Sequence, residues 1–204
     1  MKIIIITGPS GSGKTYLSNK LSKLFDNSIV IKTDSYYRDN ILIRFLSIFL
    51  YDIYDRPLSI KWEELNSTIR CIYNKERLIS HYKYDFKTKH SSRSQICMDY
   101  KGDNQLLILE GIFAHRLDIN YEDTINFVCE EQKEICLKRR VKRDQVERNR
   151  YSNEVYKKFN KSWYLYKLNV KNFIRKNNVF SINSREELSQ NKIVLYLQKL
   201  QKNN

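Results

Sequence analysis

Residues 8–15 read Gly-Pro-Ser-Gly-Ser-Gly-Lys-Thr and follow the apolar run Ile3-Ile4-Ile5-Ile6 after the single residue Thr7. The pattern GxxxxGK[ST], set between a short buried strand and a helical period, is a phosphate-binding P-loop in its proper context. It constrains the fold strongly. Such a loop joins the carboxyl end of a strand to the start of a helix, where backbone N–H groups and the helix dipole converge on an anion. Lys14 adds a mobile positive charge, and the Thr15 hydroxyl can reach a Mg²⁺ ion. Gly8 and Gly13 suit places where a Cβ would block the backbone or the phosphate. Pro9, Ser10, Gly11 and Ser12 supply the rest of the loop. The implied ligand is a nucleoside triphosphate.

The remaining periodicity agrees with an alternating α/β chain. Strands are predicted at Ile3–Thr7, Ile29–Lys32, Leu106–Leu109, Ile125–Val128 and Val179–Ile182, each short, apolar and β-branched. Helical stripes lie between them: Leu17, Leu21, Leu24 and Phe25; then Trp62, Leu65, Ile69 and Ile72; then Val155, Phe159, Trp163, Tyr166, Val170 and Phe173. A last helix opens with the capping-box spacing Ser184 to Glu187 and buries Ile193, Leu197 and Leu200. Alternation of this kind predicts a parallel sheet covered on both faces.

Composition narrows the class. A chain of 204 residues with 41% hydrophobic content, only two prolines and five glycines fits one domain without long linkers. The apolar stretch Ile41 to Tyr51 is too short to span a bilayer and contains Arg44. Cys71, Cys97, Cys129 and Cys136 form no CxxC pair and read as reduced thiols, so a soluble cytoplasmic protein is expected, with no membrane partner. The net charge of +14 admits a nucleic-acid surface, but the lysines are spread from Lys2 to Lys202 rather than gathered in one block. The densest basic cluster runs from Lys138 to Arg150.

In a parallel sheet, ligands bind beyond the carboxyl ends of the strands. Asp34 follows the second strand and should face the P-loop across that open end. A carboxylate there can accept a proton from an acceptor hydroxyl or hold Mg²⁺ through water. Glu110 follows the third strand and suits a metal-side ligand, because a buried glutamate without a cation is costly.

Several segments resemble the uridine kinase (uridine/cytidine kinase) family of P-loop kinases in order and spacing. They are Asp34-Ser35-Tyr36-Tyr37-Arg38, Tyr54-Asp55-Arg56-Pro57, Tyr84-Asp85-Phe86, Leu109-Glu110-Gly111-Ile112 and Arg139-Arg140-Val141-Lys142-Arg143-Asp144. With the P-loop they cover most of residues 3 to 150. The resemblance implies a single P-loop kinase domain over 1–204: a five-stranded parallel sheet with helices on both faces, a small hairpin, and a basic lid at roughly 138–152. It implies ATP and Mg²⁺ as cofactors and a nucleoside substrate phosphorylated at its 5′-hydroxyl.

The resemblance also assigns roles. Asp34 looks like the general base, Lys14, Arg140 and Arg143 like the cations over the migrating phosphoryl group, and Thr15 with Glu110 and Asp34 like the metal side. Tyr37 and Asp55 match positions around the nucleoside, Asp55 resembling an acceptor for ribose hydroxyls. Tyr84 and His90 fall in the hairpin, where the family stacks an aromatic ring on the base and reads its edge with a histidine. Arg148 and Arg150 resemble substrate contacts beside the lid. The chain departs from the pattern by placing Lys87-Thr88-Lys89, one residue more than usual, before His90.

Two further readings follow from the same residues. One keeps the mechanism and changes the acceptor to nicotinamide riboside, ribulose phosphate or another ribosyl alcohol; the segments Trp163–Tyr166 and Ser184-Arg185-Glu186-Glu187 are similar to nicotinamide riboside kinases. The other is a basic P-loop protein that binds nucleic acid, which the fifteen tyrosines permit. Asp34, Asp55 and Glu110 would repel a phosphate backbone, which argues against nucleic acid. A homo-oligomer stays open.

Overall fold

The computed structural model describes the chain apart from residues 26–27, 51–52, 103–104, 118, 120–123, 149, 177 and 203–204, and apart from the side chains of 44, 48 and 200–202. The end of the apolar stretch at Tyr51 and the expected burial of Leu200 thus lie outside the described residues.

In chain order the elements are β1 (Lys2–Thr7), α1 (Lys14–Leu24), β2 (Ile29–Lys32), α2 (Ile41–Phe49), α3 (Trp62–Tyr73), β3 (Leu78–Asp85), β4 (His90–Cys97), β5 (Leu106–Gly111), β6 (Thr124–Cys129), α4 (Lys133–Arg148), α5 (Ser152–Val170), β7 (Val179–Ile182) and α6 (Glu187–Lys202). The main sheet has the order β2-β5-β1-β6-β7 and every pairing is parallel. β3 and β4 form a separate antiparallel hairpin.

Alternation along β1 divides the core. Ile3 and Ile5 pack with Leu65, Ile69 and Ile72 of α3 and with Tyr82 and Tyr84 of the hairpin. Ile4 and Ile6 face Leu17 and Leu21 of α1 and Ile193 and Leu197 of α6. All four isoleucines are at most 4% exposed. Full burial of such a side chain stabilises by about 1.5–3 kcal/mol, so β1 is the axis of the molecule. Helices therefore cover both faces, and all five predicted strands are present.

The differences from expectation have local causes. β5 runs on through Glu110 and Gly111, because both pair with β1, Glu110 opposite Ile6 and Gly111 opposite Thr7. Leu24 is exposed while Leu17, Leu21 and Phe25 are buried. Each four-residue step advances the stripe by about 40° around a helix, so by the last turn the buried direction has moved to Phe25. α5 stops at Val170, and Phe173 packs from the turn beyond it. Ser184 does not close a capping box. α6 begins three residues later, and the Ser184 hydroxyl donates instead to the Ser12 carbonyl at 2.5 Å. α2, not foreseen as a helix, is capped by Asn40, whose Oδ1 accepts from the Ile43 N–H at 2.9 Å. All four cysteines are free thiols. Burial pushes the Cys136 thiol up to about 11 and that of Cys129 up to about 12. No helix among the described residues is long and apolar enough to cross a membrane.

Candidate active site

The P-loop turns from β1 into α1 with Gly11 at φ 88° and Gly13 at φ 90°, a left-handed conformation that a Cβ resists. A Cβ on Gly13 would also strike the Ser184 hydroxyl, and one on Gly11 the Cys136 carbonyl. Lys14 is almost buried, and its Nζ donates to the Pro9 carbonyl at 2.9 Å, folding the ammonium back over the loop. Arg139 reaches in from α4 and donates to the Gly11 carbonyl at 3.2 Å while pairing with Glu131 at 2.9 Å. The loop is thus an anion cradle with two cations at its rim, which fits the polyphosphate of a nucleoside triphosphate.

Beside it, the Thr15 hydroxyl lies 3.0 and 3.1 Å from the two Glu110 carboxylate oxygens. Burial raises the Glu110 pKa above its usual value; Lys14 opposes the shift and Asp34 adds to it by like-charge repulsion. Among the described residues no group of three or more His, Cys, Asp or Glu side chains gathers as a metal cage. Mg²⁺ needs none. It takes one or two carboxylates with water and substrate phosphates. A hydroxyl and a carboxylate whose charge is costly when bare suit such an ion, and Thr15 and Glu110 would hold it.

Asp34 sits in the short turn Thr33–Tyr36 that follows β2. Its Oδ1 is buried without a hydrogen-bond partner among the described residues, and the residue lines the cleft. The turn can press against β5 because residue 111 is glycine; a Cβ there would overlap the Thr33 side chain. Asp34 and Ser10 of the P-loop line one cleft, together with Tyr37, Asp55, Tyr84, Arg140, Arg143, Arg148 and Arg150.

The aromatic wall comes from three segments. The Tyr37 ring meets those of Tyr54, Tyr84 and Phe86 edge-on, with centroids 5.3–5.9 Å apart. Burial, followed by Asp34 and Asp55, drives the Tyr37 hydroxyl pKa well above its ordinary value, so this phenol stays neutral. Asp55 faces Arg140 in a two-point pair, with N–O distances of 3.4 and 3.2 Å.

Residues 138 to 152 form the second half of α4 and its junction with α5. Here Asp144 is a hub. Arg143 donates to its Oδ1 at 2.7 Å, Arg150 to its Oδ2 at 3.1 Å, and Arg148 and Arg140 lie within 3.9 Å. Burial alone would raise the Asp144 pKa, but Arg143, Arg148 and Arg140 outweigh it and hold the carboxyl below its usual range. Arg148 also lies 3.8 Å over the Phe86 ring. One fully buried carboxylate thus gathers the arginines that line the cleft.

Of the residues expected around the acceptor, Asp34, Tyr37, Asp55, Tyr84, Arg140, Arg143, Arg148 and Arg150 line the cleft and His90 does not. Its ring is two-thirds exposed, its Nδ1 lies 3.4 Å from Asp39, and it does not line the cleft. Sequence reading quoted Tyr54, Phe86, Arg139 and Asp144 within matching segments and Lys89 as a spacer, but gave them no role, and it did not name Lys158. The i, i+4 spacing of Arg140, Asp144 and Arg148 was the one available signal for the hub.

The chain is 36% identical over 157 residues to a uridine kinase of Ureaplasma parvum serovar 3, covering 72% of this chain and 71% of that protein. A uridine kinase of Staphylococcus aureus is 29% identical over 167 residues, covering 77% and 75%. The fold is similar to that of a possible uridine kinase from Bacillus stearothermophilus, with a TM-score of 0.54, 17% identity and 88% of each chain covered. The profile of the Phosphoribulokinase / Uridine kinase family matches residues 3–180. With that match over a P-loop, an acidic strand end and a basic helix sharing one cleft, the chain belongs to the phosphoribulokinase and uridine kinase family of P-loop kinases.

Proposed function

We propose that the protein transfers the γ-phosphoryl group of ATP to the 5′-hydroxyl of a pyrimidine nucleoside. The observation that carries this reading is the cleft shared by Ser10 and Asp34, with a wall of four aromatic rings between the hairpin and Asp55. The acceptor hydroxyl lies between the cradle and Asp34, whose carboxylate takes its proton as the new P–O bond forms. Asp55 accepts from the ribose hydroxyls, and the Arg140 pair fixes its orientation. Tyr84 and Phe86 offer rings against which a flat base can stack. Lys14, Arg140 and Arg143 stabilise negative charge on the migrating group, in a site from which the aromatic wall excludes water. Mg²⁺ at Thr15 and Glu110 would supply charge neutralisation on the phosphates.

The relatives named as uridine kinases support the acceptor class. The test is a panel of uridine, cytidine, nicotinamide riboside and ribulose phosphate with Mg²⁺ and ATP, read by coupled ADP release. Turnover confined to the pyrimidine nucleosides is expected. Turnover of nicotinamide riboside or ribulose phosphate without uridine or cytidine would overturn the acceptor assignment.

A further inference from the structure

The hairpin presents a different residue to the acceptor than the spacing Tyr84 to His90 suggests. Directly opposed residues of an antiparallel pair share a face, and successive residues alternate. Tyr84 opposes Ser91, whereas His90 opposes Asp85. The parity of the strands therefore puts His90 on the face away from the Tyr84 ring, with its Nδ1 3.4 Å from Asp39, which also accepts from the Ser91 N–H at the strand edge. Lys89, the last residue of the turn, lines the cleft together with Tyr54, Tyr84 and Phe86.

Three observations make Lys89 more than a surface lysine. Its ammonium lies 6.0 Å from the Tyr54 ring centroid, at the aromatic wall. Its φ of 55° falls in the left-handed region, where glycine or asparagine would be at less cost. Lys158 of α5 lines the same cleft, and among the described residues neither lysine has a carboxylate within ion-pair distance. Lys158 is held below its usual pKa by burial and then by Arg150, with Lys89 adding to the effect, so these cations crowd one end of the cleft. The arginines differ in having Asp55 and Asp144 as ion-pair partners.

We propose that Lys89, and not His90, reads the edge of the acceptor base, and that this makes the site selective for uridine over cytidine. This rests on the nucleoside reading above. An ammonium has three donors and no acceptor. Uracil offers a carbonyl oxygen where cytosine carries an amine, so Lys89 forms a charge-assisted hydrogen bond to one and faces a second donor in the other. Lys158 adds positive potential behind it. Loss of a charged hydrogen bond together with an unpaired amine is worth about tenfold or more in kcat/KM.

The experiment compares kcat/KM for uridine and cytidine in the parent protein, Lys89→Met and His90→Gln. The parent is expected to favour uridine by about tenfold or more, and Lys89→Met to bring the ratio within about threefold, the loss falling on uridine and mainly in KM. His90→Gln should leave the ratio where it was. A parent with no preference, a Lys89→Met variant that slows both substrates equally, or a ratio that moves with His90 would each overturn the inference. Turnover of both nucleosides without preference overturns this inference alone. Turnover of neither, with another ribosyl alcohol accepted, overturns the nucleoside reading and this inference together.

Discussion

Arg140 of α4 and Asp55 of the turn before α3 grip each other across the cleft through two parallel N–O contacts of 3.4 and 3.2 Å. Arg140 is 4% exposed. Burial works against its charge, but Asp55 and Asp144 outweigh burial and strengthen it. The pair joins the arginine cluster to the acceptor end of the cleft, so the fold itself holds these charges in place.

Arg140→Met should therefore cost about 3 kcal/mol or more of unfolding free energy, because it strands a largely buried carboxylate. Urea unfolding at neutral pH measures it. Adding Asp55→Asn to the same chain should restore part of the loss, as the unpaired charge is then gone. A single-variant loss below about 1 kcal/mol would mean that solvent screens the pair.

Asp34→Asn removes the proton acceptor and leaves the cradle untouched. Turnover should fall by about a hundredfold or more, with binding of a fluorescent ATP analogue retained within a few-fold. Steady-state turnover close to that of the parent would remove Asp34 from the base role.

Gly13→Ala meets two obstacles, the left-handed backbone and the Ser184 hydroxyl. Nucleotide affinity and melting temperature should both fall, the backbone part alone costing about 1–2 kcal/mol. Ser184→Gly in the Gly13→Ala background should relieve the collision but not the backbone cost. No recovery in the double variant would place the whole effect in the backbone.

The ring of His115 lies 5.1 Å from that of Phe173 and 6.4 Å from that of Phe113. Its pKa is pulled down to about 4, by burial first and then by Arg116. The unfolded chain takes up this proton near the ordinary value of 6.5, so between pH 6.5 and 4 it binds more protons than the folded one. The stability contribution is complete above that window and fades as pH falls through it, by about 3 kcal/mol in all. His115→Gln should flatten the pH dependence of unfolding there. An unchanged slope would assign the window to other groups.

The sheet was legible in the sequence because its central strands β1, β5 and β6 are buried on both faces and read as short apolar runs, as at Ile3–Ile6. The cradle was legible because backbone geometry forces its glycines. Asp34 and Glu110 could be picked out from their places at strand ends alone. Asp144 was hidden: within a run of charges every residue looks solvated, and only packing decides which one is buried. Ser184 was misread for a related reason, since a serine near a helix start can serve either the helix or a distant carbonyl. The aromatic wall and Lys89 depend on how β3 and β4 lie against α3, a tertiary relation that no local spacing encodes.

The bond from Ser184 to the Ser12 carbonyl bears on biosynthesis. The loop that grips the nucleotide is specified within the first fifteen residues, yet one of its braces is made by a side chain synthesised some 170 residues later. While the ribosome is still translating the middle of the message, that brace does not exist. A truncated product ending before β7 would carry the full phosphate-binding motif and lack the contact that holds it in shape.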